Sequence, residues 1–375
     1  MTTRLELESA RRRLRSDNAE LVDAATDALR ERNAVEARVQ AFLKDLDGAA
    51  RGALEDDLQA AMAAIYGGDE QPPTDLGPVL EAVVIGDGSR PVFWLQNDRL
   101  AKLGQPTGKF VDLLEQNAAL VEAAALSVGR IETDDAAPPP GLDKAFVGTA
   151  FLVADNLAIT NRHVIEAMVD NPGSTDGPFN LRATYWLNLA AQYGTAASRR
   201  FRIERVLFAG GQPIGAGGDI GRLDLAMLEI GAAETLAMVR PSPLALTGRK
   251  LLTGEQVVVV GYPAKPRIWY GPGEPPGAAE VEDILVKLFD SRFGYKRCAS
   301  GEIDAIAGFQ GDAKGWTVKH DASTLGGNSG SPILTLRDGG IRVSALHFGG
   351  LSRQANYGHA MEKLAGVFAP FGLTL

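Results

Sequence analysis

The run Gly326-Gly327-Asn328-Ser329-Gly330-Ser331-Pro332 places a serine in a glycine-rich turn, where backbone N–H groups are free to converge on one point. A serine hydroxyl is a weak nucleophile at neutral pH, so the turn acquires chemical meaning only if a base takes its proton. His163 is the candidate base. It lies in Thr160-Asn161-Arg162-His163-Val164, just after the apolar residues Leu157-Ala158-Ile159 and the strand-like Gly148-Thr149-Ala150-Phe151-Leu152-Val153. A carboxylate must then fix the imidazole tautomer and stabilise the imidazolium formed during reaction. Asp224 is the best placed, because it opens Asp224-Leu225-Ala226-Met227-Leu228-Glu229-Ile230, whose apolar strand would hold it at a barrel seam; Asp219 and Glu229 are weaker alternatives. The chain order His, Asp, Ser excludes the hydrolase elbow, which runs Ser, Asp, His and needs glycine where this chain has Ser331.

Taken together, the Gly-Thr-x-Phe-Leu-Val strand with Thr-Asn-x-His-Val, the Asp-Leu-Ala strand and Gly-Gly-Asn-Ser-Gly-Ser-Pro resemble the trypsin-like serine peptidases of bacteria, especially the glutamyl endopeptidase branch. The resemblance covers roughly Val128 to the C-terminus. It implies a mainly β, chymotrypsin-like pair of six-stranded antiparallel barrels with the active site in the cleft between them. It also implies a catalytic triad of His163, Asp224 and Ser329, and an oxyanion hole formed by the backbone N–H groups of Gly327 and Ser329. Thr324 and His347 match the positions that bind an acidic side chain of the substrate, so cleavage after Glu, and less well after Asp, is expected.

Two departures from the branch accompany these matches. The N-terminal amine, which in secreted relatives adds positive charge to the specificity site, here lies more than a hundred residues before the barrel. An insertion over roughly Trp269 to Tyr295 carries a segment, Val281 to Phe289, that reads as a short helix able to gate the cleft. Asn328 cannot form the ion pair by which digestive zymogens capture a new N-terminus.

The elements that must position these residues are legible as many short runs punctuated by Gly, Pro or Asn after Pro138-Pro139-Pro140: Phe146 to Val153, Leu223 to Ile230, Gln256 to Gly261 and Ile341 to Leu346. Upstream, residues 4 to 47 lack proline and glycine and are rich in Ala, Glu, Arg and Leu, which predicts a long helix; Leu54, Leu58, Ala61 and Ile65 continue on one face after Gly48 and Gly52. The expected organisation is therefore an N-terminal α-helical extension, a helical hairpin or partner-binding region over 1–66, then a linker over 67–78. An accessory β-hairpin and helix follow over 79–127, and the protease domain over 128–375. In the accessory unit Leu80 to Ile85 and Pro91 to Gln96 would pair around Gly86-Asp87-Gly88, and Phe110 to Ala125 would form one amphipathic helix.

Bulk composition narrows the function class further. With 375 residues, 45% hydrophobic and 23% charged, the chain can bury a substantial core, and a net charge of -9 argues against nucleic-acid binding. A lone cysteine, Cys298, permits no intrachain disulfide, and the first fifteen residues have no uninterrupted apolar stretch, so a cytoplasmic protein without membrane attachment is expected. No cofactor or metal is called for: His320 and His359 have ordinary structural readings, and Gly210-Gly211 and the glycine-rich run from Gly215 to Gly218 are not followed by the Gly-Lys-Ser or Gly-Lys-Thr of a phosphate loop. The expected partners are a protein or peptide substrate, with the N-terminal helices open to a protein partner. Two other readings compete with a serine endopeptidase: a catalytically silent barrel used as a scaffold, and a non-peptide esterase on the same barrel.

Overall fold

Along the predicted strands nearly every residue is apolar, and the folded chain shows why: most of them are buried on both faces. The computed structural model describes residues 89–101, 109–139, 142–214, 220–235, 239–265, 285–286, 288–306, 309, 312–351 and 355–375. The helical hairpin over 1–66, the linker, the Leu80 to Ile85 run and Asp219 lie outside the described residues.

Six strands close the first barrel. They are β3 (Val128–Thr133), β4 (Ala145–Ala154), β5 (Leu157–Thr160), β6 (Tyr185–Asn188), β7 (Arg200–Ala209) and β8 (Ala226–Ala233), in the order β3-β4-β5-β8-β7-β6. The second barrel uses β9 (Gln256–Gly261), β10 (Arg297–Ala305), β11 (Thr317–His320), β12 (Pro332–Arg337), β13 (Gly340–Leu351) and β14 (Ala355–Ala360). Their order is β11-β14-β13-β12-β9-β10, and pairing of β10 with β11 closes the ring. All pairs are antiparallel, so the expected double-barrel, chymotrypsin-like architecture is the one observed.

Because side chains alternate across a strand, each apolar run supplies two cores at once. In β4, Ala150 and Leu152 point into the first barrel, whereas Phe151 and Val153 join the layer between the barrels. In β9, Val257 and Val259 fill the second barrel while Val258 and Val260 face the same middle layer. Met227, Ile159 and Leu334 complete that layer from both sides. Each large side chain buried there contributes roughly 1.5–3 kcal/mol, so the middle layer fixes how the barrels sit on one another and therefore the geometry of the cleft.

Two expectations upstream of the barrels are corrected. Pro91 to Gln96 does form a strand, β1 (Val92–Gln96), but it turns at Asn97 and Asp98 into β2 (Arg99–Ala101) and pairs on its other side with β10. The segment is thus an added edge of the second barrel's sheet rather than part of a separate unit. Asn97 and Asp98 both adopt positive φ, at 48° and 62°, the conformation a two-residue hairpin turn requires. The single helix expected over Phe110 to Ala125 is two, α1 (Lys109–Gln116) and α2 (Ala118–Ala125). The break falls at Asn117, whose backbone leaves helical geometry (φ -117°, ψ 17°); its backbone N–H still reaches the Leu113 carbonyl at 3.2 Å, and its side-chain amide adds a second bond to the same oxygen at 2.8 Å. Of the gating helix expected over Val281 to Phe289, positions 285, 286, 288 and 289 are helical and the rest lie outside the described residues.

Candidate active site

The histidine and aspartate are brought together by strand register. Thr160, the last residue of β5, stands opposite Ala226, the first of β8, so the residues just beyond one end and just before the other must meet. Asn161 keeps extended backbone (φ -85°, ψ 155°) and turns the chain into the short helix α3 (Arg162–Glu166). His163 then faces Asp224 twice: its backbone N–H donates to Oδ1 at 2.9 Å, and its Nδ1 lies 2.6 Å from Oδ2. Asn161 adds a bond from its side-chain amide to the Asp224 carbonyl at 2.7 Å.

Asp224 is wholly buried, whereas the His163 side chain is 12% exposed, so part of the histidine is accessible to solvent. Burial by itself would push the Asp224 carboxyl up. The charge of His163, its two hydrogen bonds and the nearby His359 outweigh that and hold it below its ordinary value. An ionised carboxylate at Nδ1 keeps the proton there and leaves Nε2 as the basic nitrogen. Of the alternatives, Glu229 points away from this corner and pairs with Arg205 at 2.6 Å.

Ser329 arrives from the second barrel, and its turn is pinned from both sides. The Ser329 carbonyl accepts the N–H of Thr149 at 2.9 Å, and the Thr149 hydroxyl donates to the Gly327 carbonyl at 2.8 Å. From behind, β13 contributes the carbonyl of His347 to the Gly330 N–H at 3.1 Å, while the His347 N–H donates to Ser331 at 2.9 Å. Gly327 and Gly330 adopt φ of +85° and +88°, and a Cβ on Gly330 would lie 2.0 Å from the Thr149 carbonyl oxygen. Glycine at 148 matters for a related reason: a Cβ there would sit 2.8 Å from Val164, in the helix bearing His163, and 3.2 Å from the Ser329 carbonyl oxygen. Helix and serine turn therefore flank a single glycine. The amides of Gly327 and Ser329 make no hydrogen bond among the described residues, so both are available to a ligand.

Thr324 and His347 are also neighbours of this turn, and both are buried. The Thr324 hydroxyl donates to Oδ1 of Asn356 at 2.7 Å, and the Asn356 amide donates to the Ala322 carbonyl at 2.6 Å. Nδ1 of His347 lies 3.2 Å from Nε2 of His320. Burial pushes His320 down to about 3 and is the largest cause of the lowering of His347 well below an ordinary histidine, so this pair is neutral near pH 7.

Three neighbours of the site escaped the sequence reading. Thr149 is the clamp on the serine turn, although only its place in a strand was visible. His320 contacts His347, and Nε2 of His359 accepts the backbone N–H of Asp224 at 3.0 Å. A hydrogen bond from a histidine to a distant main-chain group leaves no spacing pattern to read. Among the described residues no group of three or more His, Cys, Asp or Glu side chains could hold a metal ion, and no helix is long and apolar enough to cross a membrane. The Cys298 thiol is buried, which pushes it up and makes it unreactive.

Residues 148–341 match the family model described as a trypsin-like peptidase domain. A probable serine protease of Lysobacter enzymogenes is 31% identical over 324 residues, covering 82% of this chain and 79% of that one. A crystal structure of Rv3671c from M. tuberculosis H37Rv, a mutant in an inactive form, is 18% identical with a TM-score of 0.38 and is covered to 99% of its length by 73% of this chain.

Proposed function

Given that the chain belongs to the trypsin-like peptidase family and is a serine endopeptidase, we propose that Ser329 is its nucleophile, His163 its general base and Asp224 the carboxylate that orients the histidine. The observation that carries this reading is the doubly bonded Asp224–His163 pair, with Nδ1 to Oδ2 at 2.6 Å, set beside a serine turn with two uncommitted amides. In the first step Oγ of Ser329 bonds to the substrate carbonyl carbon as its proton passes to Nε2 of His163. The carbonyl oxygen becomes an oxyanion between the amides of Gly327 and Ser329, where losing one donor costs about 3 kcal/mol. The tetrahedral species then collapses, the C–N bond breaks, and His163 returns the proton to the leaving amine. Water, deprotonated by the same histidine, clears the acyl-enzyme.

The finer part of the proposal concerns what is cut. Thr324 and His347 are read as the recognition site for a Glu, and less well an Asp, side chain before the scissile bond. In the free enzyme the Thr324 hydroxyl is spent on Asn356, so substrate binding would redirect it to the incoming carboxylate. The accessory organisation is proposed on the same footing: a domain from 128 onward does the chemistry, and residues 1–66 recruit or restrain it within the cytoplasm so that a dedicated protein is cut.

Wild-type protein and Ser329→Ala are to be compared on a mixed peptide library with cut sites read by mass spectrometry. Cuts after Glu or Asp that disappear in the variant support the whole reading. Cuts after other residues that disappear would retain the triad and discard the roles of Thr324 and His347, and cuts that persist in Ser329→Ala would discard the nucleophile.

A further inference from the structure

Asp224 has four polar groups, and three of them are satisfied from one corner of the first barrel: both carboxylate oxygens by His163 and the carbonyl by Asn161. The fourth, its backbone N–H, reaches across to the second barrel and donates to Nε2 of His359 at 3.0 Å. His359 lies in β14 and is wholly buried, stacked on Phe348 at 4.3 Å between ring centroids and edge-on to Trp316 at 5.8 Å. A ring nitrogen that accepts an N–H carries a lone pair, so the proton of this neutral imidazole sits on Nδ1. That Nδ1 has no hydrogen-bond partner among the described residues. An apolar aromatic ring would stack on Phe348 equally well and leave no buried polar atom unpaired. What the imidazole alone brings to the position is the acceptor aimed at Asp224.

His359 is also rigidly joined to the serine turn. It stands opposite Leu346 in the β13–β14 ladder, and the next residue, His347, exchanges backbone bonds with Gly330 and Ser331. We propose that His359 is a positioning residue that fixes the Asp224–His163 pair relative to Ser329, by holding the amide of the first-barrel aspartate from the barrel that carries the serine. The inference rests on the triad assignment made above. It gives the two halves of the triad a polar tie besides the one from Thr149 to Ser329, so that relative movement of the barrels is resisted on both flanks of the reacting atoms.

The test uses the full chain with three substitutions: His359→Phe, which keeps the stack and removes the acceptor; His359→Gln, whose Oε1 can accept the same N–H; and Asp224→Asn. His359→Phe is expected to lower kcat about tenfold with KM within about twofold of wild type, and His359→Gln to recover most of that loss. The low-field proton resonance of the His163–Asp224 hydrogen bond should shift or broaden in His359→Phe and return in His359→Gln. If His359→Phe does not fold, His359→Met serves as the acceptor-free variant. Equal kcat and an unmoved resonance in the acceptor-free protein would overturn the proposal, as would equal losses in the acceptor-free and Gln variants. Wild-type activity in Asp224→Asn would instead overturn the triad assignment, so the two failures are told apart.

Discussion

The backbone N–H of Thr149 donates to the carbonyl of Ser329 at 2.9 Å, so a strand of the first barrel holds the turn of the second at the proposed nucleophile. The same threonine receives the Thr160 hydroxyl on its own carbonyl at 2.7 Å and uses its hydroxyl both to donate to Gly327 and to accept the N–H of Tyr262 at 3.3 Å. Thr149→Val keeps the shape and deletes the hydroxyl. Two main-chain groups then lose their partner, and a cost of about 1–3 kcal/mol in stability is expected. Because Gly327 is loosened, the acylation burst should slow by about tenfold, equivalent to about 1.4 kcal/mol. Urea unfolding and stopped-flow acylation check the two numbers; an unchanged burst would mean that the clamp is dispensable.

Gly330 gives a sharper test of the same turn. With φ at +88° and the Thr149 oxygen 2.0 Å from the site of a Cβ, Gly330→Ala cannot keep both the backbone conformation and the barrel contact. Labelling of Ser329 by a serine-reactive phosphonate is expected to vanish in this variant while its far-UV dichroism still reports folded barrels. Normal labelling would show that the turn has another acceptable conformation.

Acid stability should follow the buried histidines. His320 and His359 are pushed by burial down to about 3 and about 4, below the 6.5 of an exposed histidine. Between those values and 6.5 the unfolded chain binds protons that the folded chain refuses, so their contribution is complete above pH 6.5 and is lost as the pH falls toward 4. The melting temperature should therefore decline from pH 6.5 to 4, and His320→Phe should flatten part of the slope. A flat profile in the wild type would contradict the burial of these rings.

On the alkaline side Lys296 follows the same logic as the buried histidines, being a base whose charged form burial disfavours. Its ammonium is buried, donating to the carbonyls of Ala125 and Leu189 at 2.7 Å each, and burial lowers it from 10.5 to about 7. Above pH 7 the unfolded chain keeps a proton that the folded chain releases, so stability should rise from pH 7 to 9. Lys296→Met is expected to remove that rise. Chemical denaturation midpoints at pH 7, 8 and 9 for both proteins decide it, and parallel curves would refute the assignment.

How far these features could be seen in advance depended on whether the causal contact was local. The strand before His163 and the strand after Asp224 were visible because each is a continuous apolar run, and β9 was located residue for residue because valines fill both of its faces. The run at 91–96 was equally visible as a strand, but its partner is β10, far along the chain, and nothing near Val92 says so. The Asn117 break is not legible because a single asparagine is tolerated inside many helices, and nothing in the run from Phe110 to Ala125 marks where the backbone leaves helical geometry. Thr149 and His359 are not legible for a further reason: the partners of their side chains are main-chain groups, which every residue possesses.

The placement of β1 against β10 also bears on how the molecule is made. Val92 pairs with Ala299, so a strand that leaves the ribosome early waits about 200 residues for its neighbour. At translation rates of roughly 5–20 residues per second, that is ~10–40 s during which the apolar Val-Phe-Trp-Leu has only the short β2 on one side and nothing on the other. A nascent chain of this protein is thus obliged to shelter β1 until β10 of the second barrel has been made, and a stall anywhere in that interval leaves a strand edge open to other pairings.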